Sequence, residues 1–356
     1  MPLKVRAASF NFENFFSRPI LLNRDNATSG PLLQDWALLQ IELGKKVYNK
    51  ARIATLYSKL KRYVVLREDR GRLLSGSKVV AGSTGDWEGW IELKKETISI
   101  DAQENTIRAL RALDADVVCV VEMDDRATLS DVGKHKLLTA AQRYRHAMLI
   151  EGNDARGIDV GVLSRYPIAD LVSHVDDEDK AGPIFSRDCL EAKVSLPGGR
   201  DLFLLANHLK SQAYGSAQQN DAKRVRQARR ITGILKSRYD LKKQYVVIAG
   251  DLNVDHRAKN ATSIGPLLKH PELVDVLGTL GNDDWTYSYR GKEQRLDYLL
   301  CSRALATRLQ NVGIERRGMW NLKKITGGAQ KPFPEVNGPT TAASDHAGVY
   351  ADFTLP

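Results

Sequence analysis

"YVVIAGDLNVD" (residues 245–255) changes character halfway along. Tyr245 to Ala249 is an apolar, β-branched run, the pattern of a strand buried on both faces. Gly250 breaks it, and Asp251 and Asn253 follow at once, two residues apart. Taken alone this is a turn, because Gly, Asp and Asn are the commonest turn residues and the polar pair caps its own backbone. The rest of the chain decides whether that lip also carries chemistry.

The pattern recurs. "DAKRVRQARRITGILKSRYDLKKQYVVIAGDLNVD" (221–255) reads as helix, polar turn, buried strand, then acids. "ENTIRALRALDADVVCVVEMDD" (104–125) reads the same way and ends in Glu122. Two such units suggest two related halves. Three more strand-like runs carry polar clusters. "DLFLLANHLKSQ" (201–212) ends in Asn207, His208 and Lys210, "QRLDYLLCS" (294–302) holds Asp297 among apolar neighbours, and "SDHAGVYADF" (344–353) sets Asp345 and His346 before a strand-like tail. One such cluster is usually a turn. Five in one chain point to a site, because loops at strand ends are where catalytic groups are held.

The residue types agree with one another. Oxygen donors such as Glu122 and Asp345 suit a hard cation, Mg²⁺ or Mn²⁺. With no CxxC pair and no HExxH run, a zinc enzyme is disfavoured. Asp297 is costly to bury alone, and His346 or His208 is its natural partner. A histidine oriented by a carboxylate serves as a base or stabilises a developing anion. Together these groups suit hydrolysis at phosphorus.

Composition sets the frame. The chain has 356 residues, 42% apolar and 27% charged, with a net charge of +10. That balance favours an anionic partner, nucleic acid first. Three scattered cysteines, Cys119, Cys189 and Cys301, fit a reducing compartment. The N-terminus lacks the apolar core of a secretory signal, and no apolar run reaches the roughly 18 residues of a membrane span. A soluble, cytoplasmic protein is expected, with no membrane partner and with oligomeric state open.

Further along, "LKVRAASFNFEN" (3–14) reads as a strand running into a loop. Residues 31–62 show helical spacing through Leu32, Trp36, Leu39, Leu43, Ile53, Leu56 and Leu60. "YVVLREDRGRLL" (63–74) suggests a strand pair and "DWEGWIEL" (86–93) a further one. Trp87 and Trp90 are expected in the core, with base stacking as the alternative. Residues 326–344, rich in Gly, Pro and Thr, form the expected flexible piece.

"SFNFEN", "VVEM", "RGIDVGVLSRYPI", "NHLKSQ", "GDLNVD", "RLDYLL" and "SDHAGV" follow one another from residue 9 to residue 349. In that order they resemble the endonuclease/exonuclease/phosphatase superfamily. The resemblance implies an α/β (α+β) fold, a four-layer αββα sandwich of two mostly antiparallel sheets, in one domain spanning 1–356. Residues 17–95 are a family-atypical insertion of helical and strand character. They could serve as a lid, a substrate reader, an interface or an inert decoration.

The resemblance also implies roles. Glu122, Asp345 and Asn11 would lie at the metal, Asn14 competing with Asn11. Asp251 would position or deprotonate the attacking water, with Asn253 beside it. His208 would contact the scissile phosphate or serve the leaving group. His346 would be the catalytic histidine, oriented by Asp297. Arg156, Arg187 and Lys210 are candidate phosphate contacts, with Arg165 weaker. The run 223–230, "KRVRQARR", reads as a basic helix face for a DNA backbone or as a solvated one. The expected activity is a Mg²⁺- or Mn²⁺-dependent phosphodiesterase on nucleic acid, DNA ahead of RNA. The alternative is a small-molecule or lipid phosphoester.

Overall fold

The computed structural model describes residues 1–15, 19–23, 26–95, 98–154, 157–212 and 216–356. The chain divides into two compact units, one of Met1–Phe16 with Ile98–Pro356 and one of Ser17–Thr97.

In the larger unit the apolar runs become the central strands of two six-stranded sheets. The first sheet has the order Leu309–Glu315, Gly348–Leu355, Leu3–Phe15, Val117–Met123, Asp159–Ser164, His146–Leu149. The second has the order Leu273–Asp275, Asp297–Ser302, Tyr245–Asp251, Arg200–His208, Cys189–Leu196, Ile168–Val172. Within each sheet one pair is parallel, Leu3–Phe15 with Val117–Met123 and Arg200–His208 with Tyr245–Asp251, and the others are antiparallel.

The alternation of side chains explains why these strands read as continuous apolar runs. Val117, Cys119 and Val121 join Val247, Ala249, Leu204 and Leu299 in one core shared by the two sheets. Val118 and Val120 point the other way, toward the helix Ile100–Leu113 and the helix Arg126–Gly133. Val246 and Ile248 likewise pack under the helix Ala217–Arg238. Two sheets face to face with helices outside give the expected sandwich.

A parallel pair needs a crossover between its strands. Helix Ala217–Arg238 supplies it for the second sheet, which is the helix–turn–strand pattern legible at 221–255. Its N-terminus is closed by a capping box between Ser216 and Gln219. Most of the basic run on this helix is turned to internal partners, while Arg229 is exposed. Arg224 is buried and donates to the Lys210 carbonyl at 2.6 Å, Arg226 bonds Asp179 at 2.7 Å, and Arg230 bonds Asp177 at 2.6 Å.

Asp177 and Asp179 belong to a segment strapped onto the helix through buried His174. Its Nδ1 lies 2.9 Å from Asp177 Oδ2 and its Nε2 2.6 Å from Glu191 Oε1. Burial presses the imidazole pKa down, and the hydrogen bonds and charges of Glu191 and Asp177 outweigh it and raise it above the ordinary value. A raised histidine pKa means that the folded state holds the proton more tightly. The stabilisation is therefore complete below about pH 6.5 and is lost as pH rises through the raised value. Urea denaturation at about pH 6 and about pH 9 should show a larger cost of His174→Asn at the lower pH.

The smaller unit contains helices Asn26–Leu43 and Lys50–Leu60. Its core includes Leu39, Leu43, Ile53, Leu56, Leu60 and Trp87. Trp87 is buried, as expected of a core residue, but Trp90 is 55% exposed. The strand expected to pair within 63–74 pairs elsewhere: Val64–Arg70 joins Glu88–Leu93. Gly71 permits this pairing. At φ 75° it lies so close to the Asp86 carbonyl that a Cβ would sit 2.1 Å from that oxygen. The ribbon closes on the 86–93 stretch. Residues 326–344 are also tied down rather than loose. Asn105 Nδ2 donates to the Thr341 carbonyl at 2.7 Å, and the Phe333 N–H donates to the Arg317 carbonyl at 2.9 Å.

Candidate active site

Strand register brings the second sheet's groups together. His208 stands opposite Asp251 in the parallel pair, and Asp297 stands opposite Asp251 on its other side. Gly250 allows this approach. Its φ is +134°, and a Cβ there would sit 1.8 Å from the Asn207 carbonyl oxygen. Gly250→Ala should cost about 3 kcal/mol or more, from overpacking and a disfavoured backbone together, read as a lowered urea midpoint. An unchanged midpoint would show that the two strands can separate there freely.

Beyond the strand the chain turns as its composition suggests. Asp251 Oδ1 accepts the Asn253 N–H at 2.7 Å, and Asn253 Nδ2 donates to the Leu209 carbonyl at 3.2 Å. Asn253 has a φ of 58°. Among the described residues the non-glycine positions of positive φ are Glu13, Asp114, Glu122, Asn253 and Arg290. Glu13, Glu122 and Asn253 gather at this end of the sheets, where strain of that kind tends to mark function.

His346 approaches from the first sheet, just before strand Gly348–Leu355. Its Nδ1 is 2.8 Å from Asp297 Oδ2, and both side chains are buried. Its Nε2 lies 3.9 Å from Asp251 Oδ2, and His208 Nε2 lies 3.7 Å from the same oxygen. Both gaps are too long for a direct hydrogen bond. Burial pushes the Asp251 carboxyl up to about 8, with Asp297 adding to it and His346 pulling the other way. Burial works against the charge on His346, but Asp297, Asp345 and Asp251 raise its pKa well above the ordinary value.

The first sheet adds carboxylates. Glu122 lies one residue before the end of Val117–Met123, and Asp345 precedes His346. Glu13, which the sequence did not single out, joins them. It accepts the Asp345 N–H at 2.8 Å. The charge of Asp345 first, then burial and Glu122, push its carboxyl up to about 8. The signal was present, since Glu13 follows Asn11 by two residues at a strand's end, as Asn253 follows Asp251. Asn11 is buried, and its Oδ1 accepts the Glu13 N–H at 3.1 Å, so it shapes the turn that presents Glu13. Tyr287, which carried no signal, packs its ring 4.9 Å from the His346 ring.

The phosphate candidates separate. Arg187 is buried, with Nε 3.0 Å from Asp154 Oδ2 and a long bond to the Leu209 carbonyl. Lys210 is half-buried beside Leu209, and its N–H donates to Gln227. Arg165 pairs with Asp114 and Asp116, just ahead of the strand that carries Glu122 near its end, so it lies at the opposite end of the sheet. Arg156 and the side chain of Asn14 lie outside the described residues.

A family model described as Endonuclease/Exonuclease/phosphatase family matches residues 101–346. A phospholipase C of Staphylococcus aureus is 29% identical over 153 residues, 39% of this chain and 44% of its own length. A sphingomyelinase C of Leptospira interrogans is 28% identical over 152 residues, 41% of this chain and 27% of its own length. The chain thus spans less than half the length of these curated relatives. Among solved structures, an endonuclease/exonuclease/phosphatase from Bacteroides vulgatus covers 99% of this chain and 100% of its own, with TM-score 0.53 and 13% identity. An AP endonuclease from Archaeoglobus fulgidus covers 72% of this chain and 95% of its own, with TM-score 0.50 and 20% identity. These last two likenesses concern the fold.

Proposed function

The chain belongs to the endonuclease/exonuclease/phosphatase family, and from that premise we propose that it is a divalent-cation-dependent phosphodiesterase acting on nucleic acid, DNA ahead of RNA. The observation that carries the chemistry is the convergence of His208 and His346 on one oxygen of Asp251, with Asp297 holding the second imidazole.

A Mg²⁺ or Mn²⁺ ion fits the first sheet's donors. Glu13, Glu122 and Asp345 offer oxygen ligands only, with Asn11 behind them, and the charge of Asp345, then burial and Glu122, lift Glu13 to about 8. A cation is the ordinary remedy for such crowding. Among the described residues no three His, Cys, Asp or Glu side chains already converge on one point, so the fit rests on donor chemistry. When bound, the ion polarises the phosphoryl oxygens. Asp251 takes the proton of the attacking water, a role that a carboxyl raised toward working pH suits. Imidazolium His346, fixed by Asp297, and His208 stabilise charge on the phosphoryl oxygens as it develops, and the P–O bond to the leaving alkoxide breaks as the new one forms, the alkoxide taking its proton from solvent.

The net charge of +10 supports a polyanionic substrate. A second reading, a lipid or small-molecule phosphodiester, is favoured by the names of the relatives, phospholipase C and sphingomyelinase C. Supercoiled plasmid and sphingomyelin vesicles, each incubated with Mg²⁺, Mn²⁺ or EDTA, separate the two. Metal-dependent nicking is the expected result. Choline phosphate release with an intact plasmid would transfer the assignment to the second reading. Removal of metal by EDTA should abolish turnover on either substrate, and Glu122→Gln should lower it about 100-fold or more.

A further inference from the structure

Away from the catalytic carboxylates the larger unit carries a second, basic face. Two adjoining cavities of the larger unit share Lys242. One is a groove of about 760 Å³ along the outer side of helix Ala217–Arg238, and the other is a cavity of about 210 Å³ with no carboxylate in its lining. Together they present Arg229, Lys236, Lys242, Lys243, Arg303 and Arg308 against only Asp240 and Glu272.

The ion pairs on this face are loose. Lys243 lies 3.1 Å from Asp240, Arg303 3.7 Å and Lys242 3.9 Å from Glu272, and the three basic side chains are 82%, 62% and 72% exposed. Exposed pairs of this kind contribute little, and their donors remain available to an arriving anion. The contrast is with Arg224, Arg226 and Arg230, which are spent on internal partners.

Position limits what the face can hold. Tyr245, the first residue of its strand, lines the smaller cavity, and Asp251 is the last residue of the same strand. At about 3.3 Å per residue the two places are about 20 Å apart. No single phosphodiester reaches both. A nucleic-acid strand carries a charge about every 3.4 Å, so a chain of about six phosphates covers the direct distance, and more are needed around the surface.

We propose that this basic face is a second binding site for the phosphate backbone of nucleic acid. It tethers a long strand while the active site works on another part of it. The proposal rests on the nucleic-acid reading of the substrate. Tethering raises the local concentration of scissile bonds without any new contact at the site, and it matters here because the catalytic end gathers the carboxyls Glu13, Glu122 and Asp345.

The test is the triple variant Lys242→Ala/Arg303→Ala/Arg308→Ala, whose side chains lie outside the catalytic machinery. Binding of fluorescent strands of about 40 and about 4 nucleotides is measured by anisotropy in EDTA across a salt series. Hydrolysis of bis(4-nitrophenyl) phosphate and the far-UV spectrum serve as controls. For the long single strand, the slope of log affinity against log salt should fall by about 0.7 for each of the three lost contacts, about 2 in all. Binding of the short strand and hydrolysis of the small ester should not change. An unchanged slope for the long strand overturns the tether, even if the enzyme cuts DNA. A wild-type protein that binds the long strand through this face but never cuts it overturns the nuclease reading and the tethering role with it, and leaves only strand binding by the face. Binding to phosphatidylglycerol vesicles with none to either strand overturns the nucleic-acid assignment of the face.

Discussion

Replacing Asp251 by asparagine should lower kcat on a phosphodiester by about 10²–10⁴-fold, while the variant unfolds at or above the wild-type temperature. Asparagine keeps the oxygen that accepts the Asn253 N–H at 2.7 Å, so the turn survives. What it loses is the ability to take a proton. What it gains is relief from burying a charge, because burial is the main reason that the carboxyl is pushed up to about 8. The pH dependence follows. A carboxyl whose folded pKa is raised binds its proton more tightly in the folded state, so wild-type stability falls as pH rises from about 4 to about 8. The advantage of Asp251→Asn should therefore be absent near pH 4 and full near pH 9. Denaturation in EDTA at both values, beside turnover with Mg²⁺, reads both effects. Wild-type turnover in the variant would remove Asp251 from water activation.

The second large effect belongs to Asp297. Asp297→Ala should cost about 3–5 kcal/mol of stability, the usual result of removing one partner from a buried ion pair, and kcat should fall by about 10² or more. His346 is left buried with its Nδ1 partner gone and its ring free to turn. Asp297→Asn separates the two losses. It fills the same space and keeps a hydrogen bond to the ring, so the fold should hold while the imidazolium is no longer favoured and kcat stays low. A folded Asp297→Asn protein with wild-type kcat would mean that orientation alone, without charge, is what Asp297 supplies.

Much of this arrangement was legible in the chain. The central strands are buried on both faces, so VVCVV and YVVIA stand out as unbroken apolar runs, and each is followed at once by its polar group. A crossover helix precedes both, which is why the pattern repeats. The carboxylate–histidine pair was legible because an aspartate inside an apolar strand demands a partner. Glu13 and Tyr287 were less visible. Glu13 meets Asp345, which is distant in sequence and adjacent only once two strands have paired. The fate of the arginines was hidden for the same reason. Whether a guanidinium faces solvent or closes onto Asp177, Asp179 or a carbonyl depends on a strap whose path is set by tertiary packing, not by local composition. The strand pair expected within 63–74 failed because Val64–Arg70 pairs with Glu88–Leu93 and Leu74–Ser75 with Lys78–Val79, partners that local composition does not name.

The smaller unit begins and ends at neighbouring points. Pro19 bridges to Lys95, and the Ile20 N–H donates to the Lys94 carbonyl at 2.9 Å. An excursion of that form has its two stems already zipped together, so it resembles a cassette more than a link in the chain. Such a piece can be gained, exchanged or trimmed in evolution without rethreading its host, since insertions succeed where the guest's ends lie side by side. It can also reach its own fold from local contacts while the long-range strand pairs of the rest are still being found. A ribosome releases residues 19–95 before any strand beyond Val117 exists, and the order of synthesis thus favours a finished guest waiting inside an unfinished host.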